Sequence, residues 1–202
     1  MYQIVLTGGI GSGKTAVANM LKEHGAYIID YDELAREAVE PGSQALEEIK
    51  KHWGSAVTKK DGTLNRPALA SIVFESPGDL AALNAITHPK VQELAAERAA
   101  RLIREDSTGV LVHDIPLIDV DSPLVENADL VLVVEAPIEA RVDRLATNRG
   151  MPVDEAYARI DAQPDDFERE KMADVLIRND GNLAQLRKRV DKFWENLIGE
   201  WG

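Results

Sequence analysis

The sequence contains no cysteine, which excludes disulfide bonds and thiolate metal sites and is compatible with a reducing cytosol. No run approaches the roughly 20 apolar residues that a membrane-spanning helix needs. The first nine residues, MYQIVLTGG, have neither the basic segment nor the small-residue cleavage site of a secretory signal. We therefore expect a cytoplasmic protein with no membrane partner.

Positive charge is also scarce, because 23 Lys and Arg face 35 Asp and Glu and leave a formal net charge of −12 over 202 residues. A protein that binds nucleic acid would normally show a basic stripe, so we expect no nucleic-acid partner. An acidic protein that handles phosphates must concentrate its few cations locally. The length suits one generous domain with insertions, and we expect a monomer.

Short apolar runs alternate with helical patterns along the chain. The runs that predict buried strands lie at 2–7, 26–32, 108–116, 128–137 and 173–181. Helical spacing covers 14–25, 43–53, 66–74, 78–86, 89–105 and 182–201. This alternation predicts an α/β fold in which helices cover both faces of a parallel sheet. The helical stretch over residues 34–88 is too long for one crossover, so we interpret it as an inserted subdomain that faces the substrate.

The strongest motif is the octapeptide GGIGSGKT at 8–15, which satisfies the pattern G-x-x-x-x-G-K-[ST] between a strand and a helix. Glycines let backbone N–H groups point inward as a nest for phosphate oxygens, and the following helix adds its positive dipole end. Lys14 would reach the β- and γ-phosphates, and the Thr15 hydroxyl would ligate Mg²⁺. We predict a P-loop fold whose ATP site includes Gly9, Gly11, Ser12, Gly13, Lys14, Thr15 and Ala16.

A P-loop by itself predicts only a nucleoside triphosphate site. A switch GTPase would need the guanine-binding sequence N-K-x-D, and no Asn-Lys pair occurs in the chain. The compact length favours a kinase that acts on a small molecule. A kinase for another metabolite hydroxyl or a nucleoside monophosphate, and a module that senses ATP without catalysis, remain as alternatives.

Two acids follow the second predicted strand. Asp30 and Asp32 lie two residues apart, so in an extended chain both side chains point to the same side of the sheet. An acid at the carboxyl end of such a strand could accept the proton of an attacking hydroxyl. Asp32 could equally cap the helix that begins with ELAREAV. Both interpretations stay open on position alone.

Taken together, several segments resemble the dephospho-CoA kinase family over nearly the whole chain. They are LTGGIGSGKT, IIDYDELAREAV, DGTLNRPAL, ITHPKV, IPLI and ADVLIRNDG. The resemblance implies transfer of the ATP γ-phosphate to the 3′-hydroxyl of the ribose of dephospho-CoA, the final step of coenzyme A synthesis, with Mg²⁺ as the cofactor. ATP and dephospho-CoA are the implied partners.

The resemblance also implies roles for single residues. Asp32 is the base that activates the ribose hydroxyl, while Lys14 and Arg141 are catalytic cations at the phosphoryl group. Arg149 and Asn179 belong to the ATP site. The residues implied to bind dephospho-CoA are Asp32, Arg66, His88 and Arg159.

The same resemblance divides the chain. It implies a nucleotide-binding core formed by 1–33, 89–140 and 171–202, a helical insert for coenzyme A at 34–88, and a mobile lid at 141–170 that carries Arg159 and Gln163 at family positions. The chain departs from the family pattern at two points. Tyr31 replaces the usual Ala between the two acids. In the loop 115–121, Val120 stands where Glu is expected, with Asp119 and Asp121 on either side.

For the cations at the start of the lid, a second interpretation stays open. Arg141 and Arg144 lie three residues apart, and Glu139 and Asp143 are interleaved with them. This spacing also fits a solvated helix face with paired charges.

Three further residues carry two interpretations. Asp114, at the end of the third predicted strand, is a candidate Mg²⁺ ligand of the Walker-B type or a strand-end cap. Asn179 is implied at the adenine ring, but Asn before Asp-Gly is also ordinary turn chemistry. His88 precedes Pro89 and is expected to open the long helix, in a structural role or beside the substrate.

Overall fold

The computed structural model describes residues 1–73, 75–118 and 121–201. Its backbone contacts divide the chain into two compact units. The first unit comprises Met1–Ile29 and Leu102–Gly202, and the second comprises Asp30–Arg101. Asp119 and Val120, which carry the departure from the family pattern, lie outside the described residues.

Over the described ranges the chain forms five strands and ten α-helices. The strands are β1 (Tyr2–Gly8), β2 (Tyr27–Asp30), β3 (Val110–Asp114), β4 (Leu130–Glu135) and β5 (Val175–Arg178). The helices are α1 (Lys14–Glu23), α2 (Tyr31–Glu37), α3 (Gln44–Trp53), α4 (Arg66–Val73), α5 (Pro77–Glu105), α6 (Pro123–Glu126), α7 (Ile138–Arg149), α8 (Val153–Asp161), α9 (Asp166–Lys171) and α10 (Leu183–Trp201). A short 3₁₀ helix covers Ser55–Val57.

The strands form one sheet in the order β2-β3-β1-β4-β5. β1 lies at its centre and pairs in parallel with both β3 and β4, while β4 pairs in parallel with β5. Ile4 and Leu6 of β1 are fully buried and pack with Leu21 of α1 and Val190 of α10. These parallel pairings confirm the predicted α/β fold. The strands are nearly continuous apolar runs, and such strands need helices on both faces of the sheet.

The start of α2 corrects the prediction for the two acids. β2 ends at Asp30, whose carboxylate accepts a hydrogen bond from the Glu33 N–H at 3.0 Å and so caps the helix. Asp32 therefore lies in the first helical turn, and the two acids do not share one face of a strand. The predicted cap at Asp32 is also wrong by two residues. Tyr31 is buried at this turn, and burial raises its pKa to about 12.

The structure also corrects the predicted start of the long helix. α5 runs without interruption from Pro77 to Glu105 and contains Pro89, so the two predicted helices 78–86 and 89–105 are one. His88 lies inside this helix rather than at its beginning. An internal proline removes one backbone hydrogen bond, and the helix-forming residues on both sides are sufficient to continue the helix through it.

The second unit has its own apolar core. Ile49 and Val57 are fully buried there and pack with Leu69 and Val73 of α4. The unit extends from Asp30 to Arg101, so it contains the whole predicted insert and also Asp32, which we had expected in the nucleotide-binding core.

The helices predicted as a lid belong to the first unit. Val142 and Leu145 of α7 pack against Ala156 and Ile160 of α8, and Ile10 of the glycine loop contacts the same cluster. These helices thus share an apolar contact with the loop that precedes α1. In the described part of the chain, no helix combines the length and the apolar character needed to cross a membrane.

Candidate functional site

The loop between β1 and α1 contains two glycines in left-handed backbone conformations, Gly11 with φ 77° and Gly13 with φ 98°. The Ser12 N–H donates to the Gly9 carbonyl at 3.0 Å, which closes the turn. A side chain at position 13 would overlap the amide nitrogen of Asn179. Only glycine combines this conformation with this close approach, so the motif is required by the local geometry.

Lys14, the first residue of α1, forms an ion pair with Asp114 at the end of β3. The pairing follows from the sheet, because β1 and β3 are neighbours and Leu6 lies opposite Asp114. Both side chains are largely buried, with 13% and 6% of their surfaces exposed. The structure thus places Asp114 beside the lysine of the predicted phosphate site.

The donor set for a metal ion is small. Thr15 is exposed in the first turn of α1, and Asp114 is the carboxylate close to the lysine before it. Within the residues that the structure describes, no group of three or more His, Asp or Glu side chains forms a metal site. A hydroxyl and one carboxylate suit Mg²⁺ held mainly by phosphates and water, since this ion usually takes only one or two carboxylates from the protein.

Three successive carbonyl groups of the loop accept hydrogen bonds from side chains. Arg141 Nε donates to the Ile10 carbonyl at 2.8 Å. Arg144 Nη1 lies 3.3 Å from the carbonyl oxygens of both Gly11 and Ser12. The Asn179 amide also donates to the Ser12 carbonyl, at 2.7 Å. These contacts place α7 and the end of β5 beside the glycine loop.

Asn179 is therefore a structural partner of the loop as well as a predicted ATP ligand. It is buried, its N–H donates to the Glu135 carbonyl at 2.7 Å, and its own carbonyl accepts from Arg144 Nη2 at 2.8 Å. Asn179 thus joins the ends of both strands to the loop.

Arg141, predicted as a catalytic cation, is fully buried. Its Nη1 lies 2.9 Å from Asp166 Oδ1, and its Nη2 lies 3.3 Å from Gln163 Oε1. The same Gln163 oxygen accepts the Ile10 N–H at 2.7 Å. The guanidinium group lies directly over Gly9, where an added Cβ would be 2.5 Å from Nη2. The predicted residue does belong to the loop environment, but it is paired with side chains of the protein.

Sequence analysis missed two buried charges next to Arg141. Arg169 Nε donates to Glu135 Oε1 at 2.9 Å, and Arg169 also pairs with Asp166. Burial raises the pKa of Glu135, against the opposing effect of its bond to Arg169. Glu135 ends β4 and lies near the end of the predicted strand 128–137, and this position was the one signal in the sequence. Arg169 lies in a charged run that resembles a solvated helix.

Two predicted cations lie at exposed positions of the first unit. Arg149 is the last residue of α7, and Gly150 caps that helix in a left-handed conformation. Arg159 pairs with Glu155 one turn earlier on α8, at 2.7 Å from Nη2 to Oε1. The structure places neither of them among the side chains that hold the carbonyl groups of the loop.

Three predicted residues lie in the second unit, and all are exposed. Asp32 is in the first turn of α2, and His88 is inside α5. Arg66 begins α4, and its guanidinium lies 3.5 Å from the Arg36 carbonyl. Arg66 also borders an apolar cavity of about 310 Å³ between α3, α4 and α5.

Comparison with known proteins identifies the family of the chain. A sequence model of the family Dephospho-CoA kinase matches residues 2–185. The chain is 44% identical to a dephospho-CoA kinase of Thermobifida fusca over 198 residues, which cover 98% of this chain and 96% of the relative. It is also 44% identical to a dephospho-CoA kinase of Corynebacterium glutamicum over 200 residues, 99% of this chain and 100% of the relative.

Solved structures also match nearly the whole chain. A structure titled TT1252 from Thermus thermophilus matches with a TM-score of 0.83 and 33% identity over 100% of this chain and 98% of the other. A dephospho-CoA kinase from Campylobacter jejuni matches with a TM-score of 0.73 and 25% identity over 96% of each chain. A shikimate kinase from Acinetobacter baumannii, 16% identical with a TM-score of 0.53 over 99% and 94% of the chains, shares the fold.

Proposed function

The chain belongs to the dephospho-CoA kinase family, and we propose that it transfers the γ-phosphate of ATP to the 3′-hydroxyl of the ribose of dephospho-CoA, giving coenzyme A and ADP. The observation that carries this proposal is the family match over 2–185 on a chain whose glycine loop has the required lysine. The enzyme is thus an ATP-dependent phosphotransferase with an alcohol acceptor.

The glycine loop and α1 bind the triphosphate of ATP. Gly9, Gly11 and Gly13 offer backbone N–H groups, Ser12 closes the turn of the loop with its own N–H, and Thr15 and Ala16 contribute the first turn of α1. Lys14 exchanges the carboxylate of Asp114 for phosphate oxygens when the nucleotide arrives. The exchange is favourable because a triphosphate carries more negative charge than one carboxylate.

Mg²⁺ bound with ATP neutralises charge on the phosphates and on the leaving group. Thr15 and Asp114 would hold it. Asp114 exchanges Lys14 for the ion when the nucleotide binds, so the same event changes the partners of both side chains.

Asp32 accepts the proton of the ribose hydroxyl as it attacks phosphorus. Its exposed position in the first turn of α2 leaves the carboxylate accessible to a substrate. In phosphoryl transfer the protein contributes mainly by positioning the reacting groups and by stabilising charge in the transition state. The resemblance of IIDYDELAREAV to the family supports the role of this acid.

The remaining predicted residues contact the two substrates. Arg141 stabilises charge on the transferring phosphoryl group, and Arg149 and Asn179 contact ATP. Arg66, His88 and Arg159 bind dephospho-CoA.

We also propose that the chain is divided into three functional parts, as the sequence predicts. It assigns 1–33, 89–140 and 171–202 to the nucleotide, 34–88 to coenzyme A and 141–170 to a lid. We further propose that the enzyme is a cytoplasmic monomer.

The decisive experiment mixes the protein with MgATP and dephospho-CoA and follows ADP release and a 3′-phosphorylated product by mass spectrometry. Shikimate and a nucleoside monophosphate serve as alternative acceptors. Dephospho-CoA-dependent ADP and coenzyme A are expected. ADP formed only with another acceptor, or no acceptor-dependent ADP at all, would refute the assignment.

A variant of the loop lysine gives a second test. Lys14→Ala should lose ATP binding at least tenfold and turnover at least 100-fold, because a buried charge-assisted contact to phosphate disappears. Lys22→Ala, an exposed lysine of the same helix, is the matched control and should keep both. Unchanged ATP affinity in Lys14→Ala would contradict the phosphate site.

A further inference from the structure

The carbonyl groups of Ile10, Gly11 and Ser12 follow one another in the glycine loop, and each accepts a hydrogen bond from a side chain outside the loop. Arg144 supplies two of these contacts. Its third contact, from Nη2 to the Asn179 carbonyl, is the shortest at 2.8 Å. One guanidinium group therefore joins the loop to the end of β5.

Phosphate binding requires the N–H groups of the loop to face the ligand. Each carbonyl oxygen carries a partial negative charge, and a carbonyl turned toward a triphosphate would repel it. In one peptide group the carbonyl and the following N–H point in opposite directions, so a donor that holds the Ser12 carbonyl on the outer side of the loop also fixes the Gly13 N–H on the inner side. A donor on the Gly11 carbonyl fixes the Ser12 N–H, which closes the turn on the Gly9 carbonyl. Gly11 and Gly13 both have left-handed backbone conformations. Glycine adopts positive and negative φ about equally readily, so contacts from outside the loop are needed to hold its peptide groups in one orientation.

We propose that Arg144 is a positioning residue of the phosphate site, which acts on ATP through the loop carbonyls of Gly11 and Ser12. This inference rests on the proposed function, because it concerns the site at which ATP binds. It concerns a residue that sequence analysis could equally assign to a solvated helix face.

Arg144 is suited to this role by its surroundings. It is half-buried, and burial lowers the pKa of its guanidinium group from a very high ordinary value. The group stays charged at neutral pH, since an arginine remains protonated in proteins. Its planar fork places donors on Gly11, Ser12 and Asn179 together, and a lysine has no comparable fixed fork.

Asn179 is the natural partner in this arrangement. Its amide holds the Ser12 carbonyl, and its backbone carbonyl holds Arg144. The two residues thus share one carbonyl group of the loop. Their effects on phosphate binding should be coupled, because once one of them is removed the Ser12 carbonyl is already less restrained.

The test measures binding of inorganic tripolyphosphate and of ATP, both with MgCl₂, to the wild type, Arg144→Lys and Arg144→Ala by calorimetry. Tripolyphosphate has no base or ribose, so it reports on the loop alone. Both ligands should bind about 10- to 100-fold more weakly to the two variants. The KM for ATP should rise by a similar factor while kcat changes less than about threefold.

Two controls accompany these variants. Arg187→Ala removes an arginine of α10 that pairs with Glu23 on the outer side of α1 at 2.8 Å, and it should bind both ligands like the wild type. The double variant Arg144→Ala/Asn179→Ala should weaken tripolyphosphate binding by less than the product of the two single factors. Arg144→Lys retains the charge and the aliphatic stem, so its melting temperature should stay within a few degrees of the wild type.

Three results would overturn the inference. If ATP affinity falls but tripolyphosphate affinity does not, Arg144 contacts the nucleoside directly and does not act through the loop. If neither affinity changes, the carbonyl contacts have no role in binding. If the wild type does not bind tripolyphosphate or ATP, the phosphate site itself is wrong, and the inference fails with the proposed function.

Discussion

Asp166 binds Arg141 with both oxygens of its carboxylate, which lie 2.9 and 3.1 Å from Nη1. Arg141 is fully buried, whereas 37% of the Asp166 side chain is exposed. The same carboxylate pairs with Arg169. An acid of the protein therefore neutralises two cations beside the glycine loop, where the phosphates of ATP are proposed to bind.

Removal of this acid should strengthen nucleotide binding. Asp166→Asn frees Arg141 from its carboxylate, so the Kd for ATP should fall about three- to tenfold, in the range of a modest electrostatic gain. Calorimetry gives the affinity. Glu168→Gln, an exposed acid of the same helix that pairs with Lys171 at 2.8 Å, is the control and should behave like the wild type. Unchanged or weaker ATP binding in Asp166→Asn would show that this carboxylate does not compete with phosphate.

The proposed base gives a second prediction. Asp32→Asn removes the proton acceptor but not the shape of the side chain, so kcat should fall about 10²- to 10⁴-fold. The affinity for ATP should stay within twofold. Steady-state kinetics and calorimetry measure the two quantities. Glu40→Gln, an exposed acid after α2, should retain full turnover, and near-normal turnover in Asp32→Asn would remove this residue as the base.

A pair of glycines tests the loop geometry. Gly13 and Gly25 have nearly the same positive backbone angle φ, 98° and 101°. A Cβ at Gly13 meets the amide of Asn179, whereas at Gly25 nothing lies within 4 Å. Both Gly→Ala variants should lose about 1 kcal/mol of unfolding free energy from backbone strain. Gly13→Ala should lose more than Gly25→Ala because of the overlap with Asn179, and only Gly13→Ala should lose ATP binding by tenfold or more. Equal ATP affinity in the two variants would contradict the contact with Asn179.

His113 should make the protein sensitive to acid. Burial in β3 lowers the pKa of its ring from 6.5 to about 4. The unfolded chain takes up this proton first as the pH falls. The contribution of neutral His113 to the unfolding free energy is therefore fully present above pH 6.5. It is lost between pH 6.5 and about 4, by at most roughly 3 kcal/mol. The loss is constant below that window.

Urea unfolding at several pH values measures this effect. His113→Gln should lose less unfolding free energy than the wild type between pH 6.5 and 4, because the variant has no ring to protonate. His52→Gln, with a half-exposed ring, should follow the wild type, and it corrects for carboxylates that titrate in the same window. Identical pH profiles for His113→Gln and the wild type would contradict the burial effect.

Much of the fold could be predicted because its signals are local. Apolar runs of strand length and helical spacing depend on neighbours only a few residues away, and all five strands occur where they were expected. The boundary at Asp30 was missed, since strand and helix both tolerate the sequence YD and a single side-chain hydrogen bond to Glu33 starts the helix. The continuity of α5 through Pro89 was missed because a proline is a probable, but not a necessary, end to a helix.

The sequence by itself determined the phosphate loop and the family, because the glycines, Lys14 and Thr15 are adjacent in the chain and their spacing carries the chemistry. Only the tertiary structure decided which arginines serve that loop. Arg144 and Gly11 are 133 positions apart, and a helical repeat cannot show which of its charged faces meets a distant strand end. The same holds for Arg169 and Glu135, whose burial arises solely from the way the sheet and the surrounding helices pack.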